Sequence, residues 1–417
     1  MTDKKSVKIG IFGLSRGASL IDCILINNGN IVAVCDKNEA LAKAARDKAG
    51  KDTAVYTDFD EFINHGMDAV LIANYFPEHA EYAIRALEKG IHVLSECIPA
   101  ATMADCVRLV RAAEKSSAKY MLLENYPYMT FNRELKRIYD SGTLGKALYA
   151  EGEYNHPFSP HDTEFLKVCR PYETHWRNHL PRTYYITHSL APLMHITGAK
   201  PKRVTAMPIY SPLGEEYASA CTVGDMAAII TSINDDDSVF RVTGCAAFGA
   251  HENSYRICGT NGQAENVRGA DGKIMLRYND WQIPEGMQSE NFYLPESNDK
   301  DSEFIKKAGH DGGDYFVIKR FFEAIINDEK PDFDVYFAVT VASVGILAHR
   351  SLLSYGTPVD IPDFRNEEDR VKYENDTLSP FYGTNGEAPT IADCSHPDFR
   401  PSADQVKRYL DIVSPKK

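Results

Sequence analysis

The feature that most constrains this chain is an apolar run that turns through small residues and is followed by a second apolar run ending in an acid. Residues 8–18 read KIGIFGLSRGA, and residues 31–36 read IVAVCD. A strand that turns sharply into a helix presents backbone N–H groups and a positive dipole end to a pyrophosphate. An acid that ends the second strand can accept hydrogen bonds from a ribose diol. The pattern predicts a dinucleotide-binding βαβ unit.

The turn departs from the G-x-G-x-x-G/A fingerprint, since Ser15 stands at the second glycine position and Ala18 at the third. A glycine-rich turn in any α/β protein would account for the turn residues alone, but the spacing to Asp36 favours a cofactor site. Asp36 would repel a 2′-phosphate, so we expect NAD(H) rather than NADP(H), although Lys37 weakens this preference. The predicted cofactor contacts in the turn are Gly13, Leu14, Ser15, Arg16 and Gly17.

Composition narrows the classes of function. A chain of 417 residues is too long for one ordinary core, and its net charge of −13 disfavours nucleic acid and anionic membranes as partners. We find no apolar run that approaches the roughly 20 residues of a membrane span, and no signal-peptide core, so we expect a cytoplasmic protein. The nine cysteines are scattered singly without a C-x-x-C pair, so we predict reduced thiols and no metal site.

Strand and helix signals alternate through the first 125 residues and then give way to longer alternating strands. Alternation predicts a doubly wound parallel sheet of the Rossmann type, and the later strands predict an α+β domain with an open, mostly antiparallel sheet. We therefore expect a dinucleotide-binding domain over 1–125, a substrate-binding and oligomerisation domain over 126–360, and an irregular tail over 361–417 that packs back on the body. An open sheet with an apolar face would favour a homo-oligomer.

Several segments in order resemble the Gfo/Idh/MocA family of NAD(P)-dependent sugar enzymes, and the resemblance spans nearly the whole chain. They are the N-terminal turn, NYFPEH at 74–79 and HVLSECIP at 92–99. The family ends the last segment with Glu-Lys-Pro, and its lysine lies near the reacting hydroxyl. Here Cys97 replaces that lysine. The resemblance implies a Rossmann fold, NAD as cofactor, a sugar or glycoside substrate, and cofactor contacts at Asn74, His79, Glu96, Cys97 and Asn125.

The missing lysine points to a narrower relative, the NAD-dependent glycosidases of glycoside hydrolase family 109. Further segments resemble this branch: LLEN at 122–125, EGEYNH at 151–156, YITH at 185–188, HDGGDYF at 310–316, FDVY at 333–336 and PDF at 362–364. Departures, such as the shifted proline after Cys97, mean that the identity of the substrate is not inherited.

Hydride transfer from a carbinol needs a base for the hydroxyl proton. An imidazole titrates near neutral pH, and the resemblance places Tyr-x-Thr-His at the catalytic centre, so we predict His188 as the base. The resemblance also puts Tyr185 and Glu96 near the sugar or nicotinamide and makes His156 a substrate contact. Structural roles remain open for all four residues.

A polar and aromatic cluster at 175–179 suits sugar binding, so Trp176 and Arg177 are further predicted substrate contacts, with a solvated loop as the alternative.

Three functions remain open from the sequence. The first is an NAD-dependent oxidoreductase that acts at a ring hydroxyl, with C3 favoured. The second is a glycosidase that oxidises C3 transiently, eliminates the aglycone, adds water and returns the hydride. The third is a non-catalytic NAD-binding regulatory protein.

Overall fold

The computed structural model describes residues 6–157, 174–210, 225–296 and 302–398, together with positions 299, 402–404, 407 and 411. The chain divides into two compact units. Unit 1 comprises residues 1–130, 296–342 and 363–376, and unit 2 comprises 131–295, 343–362 and 377–417. Part of the chain predicted to belong to the second domain, and part of the predicted tail, thus belong to unit 1. Cys169 and Cys221 lie outside the described residues.

The helices and strands follow in chain order. The strands are β1 (Val7–Phe12), β2 (Gly29–Cys35), β3 (Ala54–Tyr56), β4 (Ala69–Ile72), β5 (His92–Glu96), β6 (Tyr120–Leu123), β7 (Ala147–Asn155), β8 (Pro201–Tyr210), β9 (Asp225–Asn234), β10 (Val239–Thr243), β11 (Glu252–Gly259), β12 (Gly262–Asn266), β13 (Ile274–Tyr278), β14 (Glu290–Tyr293) and β15 (Val359–Asp360). The α-helices are α1 (Leu14–Gly17), α2 (Ile21–Ile26), α3 (Glu39–Ala49), α4 (Phe59–Phe62), α5 (His79–Glu88), α6 (Met103–Lys115), α7 (Thr130–Asp140), α8 (Thr187–Thr197), α9 (Ser302–Ile305), α10 (Gly313–Ile326), α11 (Val335–Leu353) and α12 (Glu367–Val371). Short 3₁₀ helices cover Ala18–Leu20, Phe76–Glu78, Tyr126–Tyr128 and Trp176–His179.

Unit 1 contains a six-stranded parallel sheet in the order β3-β2-β1-β4-β5-β6. This is the strand order of a doubly wound dinucleotide-binding fold, and it confirms the predicted Rossmann class. The register pairs Phe12 with both Cys35 and Ile72, so the residues that follow these three strands meet at one edge of the sheet. Ligands bind at this carboxyl edge in folds of this class.

The glycine turn differs in detail from the sequence prediction. Helical structure begins at Leu14, directly after Gly13, and runs as a short α-helix, a 3₁₀ turn and a second α-helix. A Cβ on Gly17 would lie 2.6 Å from Ile11 Cγ2, so Gly17 provides the close packing between helix and strand. Ala18, which the fingerprint places in that role, is half-buried.

Unit 2 contains a nine-stranded sheet in the order β14-β13-β12-β11-β7-β10-β9-β8-β15. Its pairs are antiparallel except for β7 with β10, which confirms the predicted mostly antiparallel sheet. Helix α8 packs on β7, and a Cβ on Gly152 would lie 2.0 Å from the carbonyl oxygen of Ser189. Glycine at 152 therefore sets the close approach of this helix to the sheet.

The central strands of this sheet carry charged side chains on one face, where we had predicted an apolar face. Glu151 lies 3.0 Å from Arg241 and 3.2 Å from Arg256, and Glu153 lies 2.7 Å from Arg268. Alternation places these acids opposite the buried Ala150, Gly152 and Tyr154 on β7. The predicted apolar reason for oligomerisation is therefore wrong on these strands, and the homo-oligomer itself stays a prediction.

The prediction that no apolar run approaches the length of a membrane span is wrong for helix α11. It is 19 residues long and apolar enough to cross a membrane by length and composition, the one such helix within the described chain. Of its most apolar window, 83% is buried inside the protein. A helix buried in a protein core can have the same length and composition, because protein packing buries an apolar helix surface on all sides as a membrane does.

Candidate active site

Gly13, in the turn after β1, has a conformation and a close backbone neighbour that only glycine allows. Gly13 has a φ of 88°, and a Cβ there would lie 2.3 Å from the backbone nitrogen of Asn74. Both oxygens of Asp36 face the start of helical segments: Oδ2 accepts from Leu14 N at 2.8 Å, and Oδ1 accepts from Asn38 N at 2.8 Å. Each carboxylate oxygen has a second lone pair, so Asp36 can still accept hydrogen bonds from a ribose diol.

Arg16, in the middle of the turn, is held between two carboxyl groups. Its Nε donates to Glu96 Oε1 at 2.6 Å, and its two Nη atoms donate to Asp314 at 2.7 and 3.1 Å. Nη1 also donates to Ser19 Oγ at 2.8 Å. Burial opposes its charge, but Glu96 and Asp314 outweigh burial and raise the pKa of Arg16. Four of its five N–H groups are thus used within the protein, so a pyrophosphate at this turn must rely mainly on backbone N–H groups.

Asp314, in the first turn of α10, is the centre of this network. It is 3% exposed and also accepts from Asn125 Nδ2 at 2.7 Å and contacts His310 Nδ1 at 3.1 Å. Burial alone would raise the pKa of Asp314, but the hydrogen bond with His310 and the charge of Arg16 hold this pKa well below its usual range. The carboxylate therefore stays ionised and fixes three side chains from three segments.

The ends of β5 and β6 place a second pair of groups side by side. Glu96 pairs with Leu123 in the sheet, so Cys97 and Glu124 follow at the same edge. Glu96 Oε2 accepts from Cys97 N at 3.0 Å, and Cys97 Sγ donates to Glu124 Oε2 at 3.1 Å. Glu124 is fully buried. The thiol that replaces the family lysine is therefore a hydrogen-bond donor to a buried acid.

His79 lies at the start of α5 and is 1% exposed. Its ring nitrogens contact the carbonyl oxygens of Asn74 at 3.2 Å and Ile98 at 3.1 Å. Burial lowers the pKa of His79, which favours the neutral ring. A neutral ring has one N–H and can donate to only one of these carbonyl oxygens. Both ring nitrogens face backbone groups, so His79 positions the loops after β4 and β5, and its contact with the cofactor stays a prediction.

The residues present at the carboxyl edge of unit 1 fit a dinucleotide. The turn at Gly13 packs closely against the backbone that follows β4, and Asp36 directly follows β2, as a ribose ligand requires. Two buried amide oxygens, Oδ1 of Asn74 and Oδ1 of Asn125, have no hydrogen-bond partner among the described residues. Buried polar atoms are nearly always satisfied in folded proteins, so these two mark places for a ligand's donors.

In unit 2, aromatic and imidazole rings cluster around Tyr154 at the end of β7. The ring centroid of Tyr154 lies 5.0 Å from that of His188 and 5.5 Å from that of Tyr185, both edge-on. His188 lies in the first turn of α8, is 7% exposed, and lies 5.3 Å from Tyr185 between ring centroids. Tyr255 donates from its hydroxyl to the backbone carbonyl of His188. The packing fixes His188 among rings that exclude bulk water.

His156 extends the same cluster. Its ring lies 5.7 Å from Tyr154 and 4.6 Å from His251 between centroids. Burial, followed by the charges of His251 and His188, lowers the pKa of His156. The neutral imidazole is thereby favoured at neutral pH, and a neutral ring can both donate and accept a hydrogen bond to a sugar hydroxyl.

Trp176 and Arg177 lie in a 3₁₀ helix whose N-cap is His175. The guanidinium carbon of Arg177 lies 4.5 Å from the centroid of Trp176, and His175 stacks on Trp176 at 5.7 Å. Trp176 and Arg177 thus restrict each other's side-chain conformations. Whether they touch a substrate stays a prediction.

The structure brings the predicted residues together within each unit. In unit 1, the turn lies against Asp36 and Asn74, and Arg16 is joined to Glu96 directly and to Asn125 through Asp314. In unit 2, ring contacts join His156, Tyr185 and His188 through Tyr154.

Sequence reasoning gave no role to Asp314, His310, Glu124, Tyr154 or His251. Four of these five stand inside segments that resemble family landmarks, so the order of the landmarks was a signal for their importance. His310 and Asp314 are four residues apart, but other partners, such as Arg16 for Asp314, are remote in sequence, and spacing alone could not have identified those contacts.

Comparison with known proteins finds two family models that match successive parts of the chain. Residues 7–124 match the family model described as oxidoreductase family, NAD-binding Rossmann fold. Residues 215–369 match the model described as glycosyl hydrolase 109, C-terminal domain.

A glycosyl hydrolase family 109 protein from Streptomyces niveus is 28% identical over 399 residues, covering 88% of this chain and 78% of the relative. Among solved structures, levoglucosan dehydrogenase in complex with NADH and levoglucosan has a TM-score of 0.72 at 17% identity, covering 86% of this chain and 100% of that chain. An NAD-binding oxidoreductase from Klebsiella pneumoniae has a TM-score of 0.71 at 16% identity, covering 86% and 99%. At such identities the structures share the fold. The chain therefore combines a Gfo/Idh/MocA NAD-binding Rossmann domain with a glycosyl hydrolase 109 C-terminal domain.

Proposed function

We propose that this protein is an NAD-dependent enzyme that moves a hydride between the cofactor and a ring carbon, C3 favoured, of a sugar or glycoside. The observation that carries the proposal is the placement of His188. It is an almost buried imidazole in the first turn of α8, flanked by Tyr154 and Tyr185. A base in a site that excludes bulk water can take a hydroxyl proton in step with hydride loss.

NAD, when bound, supplies the hydride acceptor. The chain's own residues do the rest. The turn at Gly13 and the carboxylate of Asp36 would bind the adenosine half, while Glu96 ends β5 and Asn125 follows β6, on the half of the sheet where the nicotinamide belongs in this fold. His188 accepts the hydroxyl proton and returns it in the reverse reaction, and Tyr185 orients the hydroxyl group. His156 binds a neighbouring hydroxyl as a neutral donor and acceptor.

Net glycoside hydrolysis is the second candidate, favoured by the match of residues 215–369 to the family 109 C-terminal domain. In this reaction the C3 ketone acidifies the C2 proton, the aglycone is eliminated, water adds, and the hydride returns to C3. The non-catalytic alternative is disfavoured because His188 and Tyr185 are retained and packed together.

Anaerobic incubation of the protein and NAD with p-nitrophenyl α- and β-hexopyranosides tests these functions, with NADH absorbance and free nitrophenol followed together. Accumulating NADH without nitrophenol supports a dehydrogenase, and nitrophenol with catalytic NAD supports a glycosidase. Neither signal with any glycoside, despite measurable NAD binding, would leave the non-catalytic function.

Asp36 is expected to set the preference for NAD. Asp36→Asn keeps an acceptor for Leu14 N but removes the charge, and we expect NAD affinity to fall about tenfold or more because a hydrogen bond to a charged group contributes about 1.5–3 kcal/mol. The gap between NAD and NADP should narrow, as titration with each cofactor would measure. Asp36→Ala should weaken binding further, since it also removes the contact with Leu14. Equal affinity of the unmutated protein for both cofactors would contradict this role.

No metal requirement is expected, because hydride transfer needs none. Within the described parts of the chain, no group of three or more His, Cys, Asp or Glu side chains is arranged to hold a metal ion. Turnover should survive a chelator, and its loss with recovery on adding a divalent ion would contradict this prediction.

A homo-oligomer in the cytoplasm likewise stays a prediction, and sedimentation with NAD present tests the oligomer.

A further inference from the structure

The C-terminal segment 377–396, which we call the tail segment, contacts the loop at 175–185, and both belong to unit 2. His179 Nδ1 lies 2.9 Å from Asp393 Oδ2, and the ring of His179 lies edge-on to that of Tyr382 at 5.1 Å between centroids. The side chain of His179 is 16% exposed and that of Asp393 is 31% exposed, so much of this ion pair is shielded from bulk water. The pair joins the tail segment to the 3₁₀ helix that contains both predicted substrate contacts.

The tail segment is itself anchored on both sides of Asp393. His349, in the part of α11 that belongs to unit 2, is fully buried, and burial lowers its pKa to about 4, so the ring is neutral at neutral pH. Its Nε2 donates to the carbonyl oxygen of Ala392 at 2.7 Å, since a carbonyl oxygen can only accept. Ser395 donates from its backbone nitrogen, at 3.0 Å, and from its hydroxyl to the carboxylate of Asp225. Asp393 is therefore held in place by its neighbours in the chain.

The other end of the loop is fixed by the sheet of unit 2. A Cβ on Gly244 would lie 2.1 Å from the carbonyl oxygen of Arg182, and Cys245 N donates to the carbonyl oxygen of Tyr185 at 3.2 Å. Arg182 Nε donates to the backbone carbonyl of Asp225 at 3.1 Å. The sheet thus fixes the end of the loop that leads into α8, and the tail segment contacts the end that carries the predicted substrate contacts.

We propose that Asp393 is a positioning residue for glycoside binding, which through His179 holds Trp176 and Arg177 in the conformation that binds the sugar. This inference rests on the proposed function and deepens it, because it makes the tail segment part of the substrate site. A tryptophan ring offers an apolar face and a guanidinium offers N–H donors, which suit the C–H groups and the hydroxyls of a sugar. A loop that must first be ordered binds more weakly, by the fraction of molecules in the competent conformation.

The expected signature is a change in KM without a change in kcat. Without Asp393 the loop samples other conformations until the glycoside binds, but the bound complex remains that of the wild type. With the full-length protein, NAD and the p-nitrophenyl hexopyranoside that gives the fastest signal, Asp393→Ala should raise KM about tenfold and leave kcat and NAD affinity within about twofold. Asp393→Asn keeps an oxygen that accepts from His179 Nδ1 and should raise KM by less.

Trp176 allows the loop to be observed without turnover. The chain has two tryptophans, and the other, Trp281, is 80% exposed, so Trp281→Phe leaves Trp176 as the only indole fluorophore. In this background Asp393→Ala should raise the acrylamide quenching constant of Trp176 about twofold or more, because a mobile loop exposes the ring. Asp398→Ala is the matched control, since Asp398 follows in the same part of the chain and is exposed. It should leave KM and quenching unchanged.

A double-mutant cycle tests whether the effect passes through His179. If Asp393 acts by holding His179, the double variant His179→Ala/Asp393→Ala should raise KM and quenching no further than His179→Ala alone. Additive effects of the two substitutions on KM would overturn the route through His179.

The remaining outcomes separate this inference from the proposed function. Unchanged KM and quenching in Asp393→Ala, or a fall in kcat at constant KM, would overturn the role of Asp393 and leave the hydride transfer intact. Weaker NAD binding in both Asp393→Ala and Asp393→Asn would overturn it as well, because a residue that supports the whole fold would give that result. Absence of NADH and of nitrophenol with the wild type would overturn the proposed function, and the substrate role of Asp393 with it.

Discussion

His188→Ala lowers the rate of hydride transfer to NAD by about 10²- to 10⁴-fold, the usual cost of removing a general base. The imidazole is packed edge-on against Tyr154 and 7% exposed, so water does not readily take its place. NAD affinity should change little, because His188 belongs to unit 2 and the nucleotide turn belongs to unit 1. Anaerobic NADH formation and an NAD titration on the same variant measure the two quantities.

Three further variants make the assignment of the base specific. His195→Ala, in the last turn of the same helix, should retain activity and serves as the control for disturbing α8. Cys97→Ala should be mild, because it removes a thiol that donates to Glu124, and Cys97→Lys need not raise activity. If Cys97→Ala abolishes turnover while His188→Ala leaves it intact, the base has been misassigned.

Gly13→Ala is expected to destabilise unit 1 and to impair NAD binding. The positive φ of 88° strains any L side chain, and the new Cβ would lie 2.3 Å from Asn74 N and 2.4 Å from the Ala73 carbonyl carbon, both backbone atoms that cannot move alone. Strain and overpacking together cost about 2–6 kcal/mol of unfolding free energy. Denaturant unfolding and an NAD titration are the measurements.

Gly66→Ala is the matched control for this substitution. Its Cβ would meet no atom within 4 Å, and its φ lies outside the strained range, so both stability and NAD affinity should remain close to the wild type. A Gly13→Ala protein with unchanged unfolding free energy and NAD affinity would show that glycine at this position is not needed for the turn or for NAD binding.

The Rossmann sheet could be predicted from the sequence because its strands are short apolar runs and several of its helices have a local start signal. Asn38 and Thr102, for example, both cap helices with their side chains. Local patterns could not predict which face of the second sheet is charged, because Glu151 and Glu153 form ion pairs with arginines about 90 to 115 residues away.

The candidate site was predictable to the extent that function lies in the strand-to-helix turns. Asp36 was identified from its position at a strand end, and Asn74 and Glu96 from the family resemblance of the segments that contain them. Asp314 was not, since its partner Arg16 precedes it by 298 residues and nothing in either local segment indicates the other. The resemblance also suggested His79 as a cofactor contact, but it could not show that the ring is buried with both nitrogens facing backbone carbonyl oxygens.

Because Arg16 is paired with both Glu96 and Asp314, the affinity for NAD should respond to ionic strength differently from that of a site with a free arginine. A mobile arginine at a phosphate turn would make dinucleotide affinity fall steeply as salt screens its charge. Here the guanidinium faces two carboxyl groups of its own protein. Attraction of the pyrophosphate therefore comes from short-range backbone dipoles, and the dissociation constant for NAD should vary little between dilute buffer and physiological salt.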